Sequence, residues 1–389
     1  MSISSEFDSL SKEAFRLFSQ ASAARHEPAR AAELAQRALE VACQAAEMLG
    51  RSYTQQRRLS RRSSYSHPPA LLGCTLDESV CDGSGAGPFF ETFSAAAVPI
   101  EWSRVEPIEG EYRWEPLDAG VECCQRSRCV IRGGPLLDFA AGGLPGWLAP
   151  WAADFLNLQS FVCDFIETAV SRYAGRIRIW EVSARGNSGG GLALTEEQRL
   201  ALTARTIEAA QRTDSEAQVF IRVDQPWGEY QADGQHRLTP FQFVDALTRS
   251  RLGLTGVNLE IAVGYEPVGD RNRDLLVVSR LIDIWSLLGI PIHVTLALPS
   301  QGGADPQALA QLSTGRSPLA GEWSPDVQAK WAEDYVGLCI SKPQVTGVFW
   351  SHFDDRQPHR FPHAGVLDAS GAPKPLLGVL RGMQAVGRP

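Results

Sequence analysis

The sequence predicts an α/β fold: a (β/α)8 barrel of the TIM type carrying an N-terminal α-helical hairpin extension. Three observations support this. Over residues 70–389, eight short and continuously apolar runs alternate with amphipathic stretches, the pattern of parallel strands buried on both faces with helices between them. Eight such units in series suit one closed barrel, which takes ~250 residues or more. No glycine-rich phosphate loop follows the first run, which weighs against a doubly wound open sheet.

Residues 1–50 predict the hairpin. Leu10, Ala14, Leu17 and Phe18, then Ala31, Leu34, Ala38, Leu39, Ala42, Ala45, Ala46 and Leu49, recur near spacings of three and four, with Pro28 between the two helices. The pair would pack on the rest of the chain or offer a surface for a protein partner or self-association. Residues 51–69, RSYTQQRRLSRRSSYSHPP, read as an exposed Arg/Ser-rich linker ended by two prolines. The strand runs follow: LLGCTL (71–76), AVPIEW (97–102), CVIRGGPLL (129–137), IRIWEVS (177–183), QVFIRV (218–223), GVNLEIAV (256–263), PIHVTLAL (291–298) and GVFWSHF (347–353). The clearest helices between them cover 155–175, 195–212, where Thr195 and Gln198 make a capping box, 273–289 and 324–340.

With 44% hydrophobic residues the chain can bury a large core. Its formal net charge of −8 opposes non-specific binding to nucleic acid or to an anionic membrane, so neither partner is expected. The eight cysteines form no CxxC pair and no set with histidine at metal-ligand spacing, and read as free thiols. The first thirty residues are polar and charged, and no run of ~18 apolar residues occurs, so a cytoplasmic protein is expected.

Five segments together resemble one family. They are EWSRVEPIEGEYRWEPLDAGV (101–121), RGGPLLDFAAGGLPGWL (132–148), RYAGRIRIWEVSARGN (172–187), GIPIHVTLALPS (289–300), and GVFWSHFDD with GVLDASGAPKPLLGVL (347–380). In order and spacing they are similar to the second, third, fourth, seventh and eighth strand segments of glycoside hydrolase family 10, the endo-1,4-β-xylanase-like barrels. The resemblance spans roughly residues 70 to 385 and implies a carbohydrate substrate, an oligosaccharide or polysaccharide.

That family hydrolyses with retention, which needs two carboxyl groups about 5 Å apart, one attacking and one protonating. By the resemblance, the acid's place holds Arg185, after Ala184 in place of an asparagine, and the nucleophile's place holds Leu296. A guanidinium stays protonated at working pH, and leucine has no lone pair. Shifting the alignment does not help, because no Asp or Glu lies between Asp283 and Asp305. Glu101, Gly134, Asp138 and Ala262 stand where the family places a lysine, a histidine, a tryptophan and a histidine that contact sugar.

Barrel sites are built at the C-terminal ends of the strands. There, Asp138, Asp224 and Glu260 are candidate replacement catalytic groups, Asp138 with Asp224 or Glu260 as an acid and base pair. Glu101, Trp102, Trp147, Trp227, Trp350 and Asp354 are candidate substrate-binding residues. The competing reading sets these acids against Arg132, Arg185 and Arg222, with Arg185 facing Glu181, Glu260 or Asp138 as a buried ion pair filling the former site. His359, His363, Asp354 and Asp355 share a loop, but their spacing matches no ligand motif and Pro358 and Pro362 stiffen it, so no metal or cofactor is expected. The favoured expectation is a carbohydrate-binding or scaffold pseudoenzyme. An active O-glycosyl hydrolase using relocated carboxylates is the alternative, and a barrel lyase or isomerase a more distant one.

Overall fold

The computed structural model describes residues 3–63, 70–83, 85–234, 236–309, 312–317 and 321–385. Eight parallel strands close into a barrel: β1 (Leu71–Thr75), β2 (Ala95–Val98), β3 (Val130–Gly133), β4 (Ile179–Ala184), β5 (Gln218–Asp224), β6 (Leu254–Ala262), β7 (Ile292–Ala297) and β8 (Val345–Trp350). Each pairs with the next, β8 pairs with β1, and β3 pairs directly with β4. Two helices precede the barrel, α1 (Ser5–Ala23) and α2 (Pro28–Ser63). One principal helix follows each strand: α3 (Ala86–Thr92), α4 (Glu115–Arg126), α5 (Phe155–Arg172), α6 (Glu196–Thr213), α7 (Pro240–Arg249), α8 (Leu275–Trp285), α9 (Pro325–Ser341) and α10 (Pro375–Ala385). The expected capping box forms, with Thr195 accepting from the Gln198 amide and Gln198 accepting from the Thr195 amide. No helix among the described residues is long and apolar enough to cross a membrane.

Side chains alternate across each strand, so one inward residue fixes the direction of its neighbours. On β7, Thr295 donates to Asn258 Oδ1 at 3.0 Å, and the His293 ring stacks on Phe220 with centroids 4.2 Å apart. These contacts place His293, Thr295 and Ala297 toward the axis and turn Val294 and Leu296 to the helices. The same parity turns Asn258, Glu260 and Phe349 inward and Ile261 and Trp350 outward, since Glu260 and Phe349 pair with Thr295 while Ile261 and Trp350 pair with Leu296.

Three boundaries differ from the sequence reading. The second strand is Ala95–Val98, not 97–102: Pro99 withdraws a ladder donor, and Trp102 opens the short helix Trp102–Val105. The third strand stops at Gly133, before Gly134 and Pro135, and resumes as Leu137–Asp138 beside β4. The segment 51–69 is not all linker, because α2 runs unbroken to Ser63, while residues 64–69 lie outside the described residues. Arg and Gln are good helix formers, and tertiary contacts hold the helix on. Thr54 is buried and donates to the Gly50 carbonyl at 2.9 Å, Arg51 donates to Asp334 of α9 at 2.9 Å, and Gly50 lies so close to α8 that a Cβ there would meet Leu275 Cβ at 2.8 Å.

Candidate active site at the barrel mouth

β4 ends at Ala184, and the chain turns at Arg185, whose φ of 58° is left-handed and costs an ordinary side chain about 1 kcal/mol. The turn is held by the Arg185 amide donating to the Arg222 carbonyl on β5 at 3.0 Å. It carries the guanidinium into the mouth, where it is 2% exposed. There Nη1 donates to Asp138 Oδ2 at 2.6 Å, Nε donates to Glu260 Oε1 at 3.0 Å, and Nη2 pairs with Glu260 Oε2. One side chain thus joins the ends of β3, β4 and β6.

A second charged layer lies beneath. Arg222 Nη2 pairs with Glu181 Oε1 at 2.6 Å and its Nη1 with Glu260 Oε2 at 3.1 Å. Glu181 also accepts from Asn258 Nδ2 at 2.6 Å and faces Arg132 at 3.9 Å. Arg132 lies over the Phe349 ring, 3.6 Å from its centroid, and donates to Thr295 at 3.4 Å. Planar guanidinium forks suit such shared carboxylates, and inside a barrel the polar atoms need these partners.

The electrostatics follow from this arrangement. Burial disfavours ionised Asp138 and Glu260, but Arg185, Arg222 and Arg360 together outweigh it, with the Ala140 amide adding to the effect at Asp138, and both carboxyls are held below their usual range. For Arg185 itself burial works against the charge, and Asp138, Glu260 and Asp224 more than restore it. Asp224 differs: burial lifts its carboxyl above the usual value, and Arg185 offsets only part of that. Its carboxylate accepts from Ser188 Oγ at 2.7 and 2.9 Å. Asp138 and Glu260 are therefore locked anions, and Asp224 is the carboxyl of the three most ready to carry a proton.

The structure brings Asp138, Asp224 and Glu260 together and scatters the proposed sugar contacts. Trp102 is 1% exposed, stacked on Phe165 at 4.6 Å, and donates to Glu106 at 2.7 Å. Trp350 faces the helices, 2% exposed, and donates to the Ala364 carbonyl at 2.6 Å. Neither ring has a free face for a sugar. Asp354 is fully buried against Arg356 at 2.6 Å. Glu101 sits at the rim with Arg104 at 3.8 Å, and burial raises its carboxyl. Trp147 and Trp227 are half-buried; Trp147 donates to the Glu106 carbonyl at 2.9 Å, and Arg273 lies over the Trp227 ring at 4.2 Å.

A group with metal-ligand character does assemble, although not the one the sequence suggested. Ligand atoms of His352, Asp355 and His359 lie within 4.8 Å of one another. The imidazoles stack in parallel at 4.0 Å, so their lone pairs do not converge, and Lys374 Nζ already sits 2.6 Å from Asp355. His359 instead faces Asp305 at 2.9 Å, and Asp305 also accepts from the His363 amide at 2.8 Å. This network ties the loops after β7 and β8 together, with an ammonium as its cation. Sequence reasoning missed Asn258, Thr295, Ser188, Lys374 and Arg360. Stepping two residues back from Glu260 would have found Asn258; nothing in the pattern marks Ser188, Lys374 or Arg360.

Comparison with known proteins agrees with this architecture. The family model "Glycosyl hydrolase family 10" matches residues 96–187, from β2 to just beyond β4. Endo-1,4-beta-xylanase B of Thermotoga neapolitana is 29% identical over 94 residues, 24% of this chain and 26% of that protein, so the match spans about a quarter of that relative's length. Among solved structures, xylanase 10B from Thermotoga petrophila RKU-1 in complex with xylobiose superposes with a TM-score of 0.59 at 15% identity, covering 82% of this chain and 95% of that one. The family 10 structure from Paenibacillus barcinonensis gives 0.60 at 16%, with coverages of 82% and 95%. The chain is thus a (β/α)8 barrel resembling the xylanases of glycosyl hydrolase family 10, with the family's sequence signal concentrated between its second and fourth strands.

Proposed function

We propose that this chain is a divergent, xylanase-like carbohydrate-binding barrel that has given up double-displacement hydrolysis and acts as a binding or scaffold pseudoenzyme. One observation carries the reading: Arg185, in the place of the family's acid, clamps both Asp138 and Glu260. A retaining mechanism needs one neutral and one ionised carboxyl across an open gap, whereas here a fixed cation fills the space between two anions. β7 offers no nucleophile either, since its inward residues are His293, Thr295 and Ala297 and its sequence lacks a carboxylate. The test is direct. Full-length protein titrated with xylohexaose should show a saturable change in tryptophan fluorescence and release no reducing sugar; release at a rate that scales with active protein would overturn the reading.

A second reading rests on Asp224, the buried carboxyl lifted above its usual range. In an active hydrolase with relocated groups, Asp224 would protonate the leaving oxygen while Asp138 or Glu260 activated water. Under that reading Asp224→Asn abolishes hydrolysis and leaves sugar binding intact.

A further inference from the structure

We propose that the mouth holds the carboxylate of an acidic sugar, a uronic-acid unit of an oligosaccharide, against the guanidinium of Arg360. This deepens the carbohydrate-binding reading above and rests on it. Pairing at the mouth, rather than net charge, singles this arginine out. Arg132, Arg185 and Arg222 are set against Asp138, Glu181 and Glu260, three cations for three anions. At the rim Glu101 has Arg104. Asp224 is engaged by the Ser188 hydroxyl at 2.7 Å.

Arg360 remains. Among the described residues it makes no ion pair within 4.0 Å, and its buried Nε has no hydrogen-bond partner. It nonetheless stands within electrostatic reach of Arg185, Glu260, Asp138 and Asp224, which end four different barrel segments at the mouth. Its Cζ lies 5.6 Å from the Phe361 ring centroid, so an apolar surface adjoins it on one side. A guanidinium with a buried, unpaired donor is costly, and a planar carboxylate answers it with a matched fork. The half-buried indoles Trp147 and Trp227 supply the rim on which the rest of a saccharide would lie.

The experiment compares three probes on the full chain by calorimetry: a xylo-oligosaccharide carrying one glucuronate branch, the same compound with its carboxyl reduced to an alcohol, and an otherwise uncharged oligosaccharide of equal length bearing one phosphate. The expected result is that the uronate binds about tenfold or more tighter than its reduced form. Arg360→Gln should erase that difference, and raising salt should narrow it. Arg360→Lys, which keeps the charge and loses the fork, should retain part of the preference, and circular dichroism confirms that both variants fold. Equal affinity for the uronate and its reduced form overturns the proposal and leaves carbohydrate binding standing. Tighter binding of the phosphate overturns the carboxylate assignment. Binding of none of the three overturns both the proposal and the reading beneath it.

Discussion

The ends of β4 and β7 carry side chains of opposite physical character. At β4 a charged residue points inward and has recruited partners, so Arg185 is the hub of an ion cluster spanning three strand ends. At β7, Leu296, which the resemblance sets in the nucleophile's place, points outward into the apolar layer and is fully buried there, so the inward positions of this strand are His293, Thr295 and Ala297. One end is filled with charge and the other with hydrocarbon. A strand end therefore makes two kinds of demand: a charged inward residue must be electrostatically compensated, whereas an outward one must simply pack.

That contrast can be broken or sharpened by substitution. The largest expected effect is Leu296→Glu, which would place a carboxyl among apolar side chains with no partner. We expect a loss of roughly 5 kcal/mol, near the whole stability of a typical domain, read as failure to give a cooperative melt. If Leu296→Glu folds and gains hydrolysis of xylohexaose, β7 is not the outward-facing end described here. Next is Arg185→Gln, which leaves Asp138 without its ion-pair partner and Glu260 with Arg222 alone, and should cost about 3 kcal/mol or more in chemical denaturation at pH 7. Adding Glu260→Gln should recover part of this, whereas it should not rescue Leu296→Ala.

The two ends should also differ in pH response. Asp138 and Glu260 have folded values held below their ordinary 3.8 and 4.5, so their contribution is complete above those values and is lost as pH falls through the folded ones. The stability gap between wild type and Arg185→Gln should accordingly narrow below about pH 4, while the gap for Leu296→Ala stays flat. Asp224 runs the other way, since its raised value gives a contribution that fades as pH climbs above 3.8. The smallest effect is Ser188→Ala, about 1 kcal/mol, with the Asp224 titration moving further up when followed by carboxyl NMR.

The barrel was legible because parallel strands buried on both faces leave unbroken apolar runs, and all eight such runs coincide with strands to within a few residues. Pairing Arg185 with Asp138 and Glu260 was likewise foreseeable from chemistry at strand ends. Glu181 was not Arg185's partner, because it lies one layer deeper, with Arg222 and Asn258. What the sequence hid was side-chain direction. Trp350 and Phe349 are neighbours in sequence, yet alternation sends one to the helices and the other to the axis, and no composition rule says which. The helical extension through residues 51–63 was hidden for another reason: a segment rich in arginine and glutamine shows little apolar period, and its few docking contacts, Arg51 and Thr54, are polar.

The unbroken second helix has a practical corollary. At 36 residues it is about 54 Å long, and its latter half is a splint laid along the outer helices α8 and α9 rather than a tether between two bodies. Trimming the chain at residue 70 to obtain a minimal barrel would strip that splint, bare Leu275 and leave Asp334 without its arginine. A barrel fragment meant for expression, labelling or crystallisation should therefore keep residues 28–63.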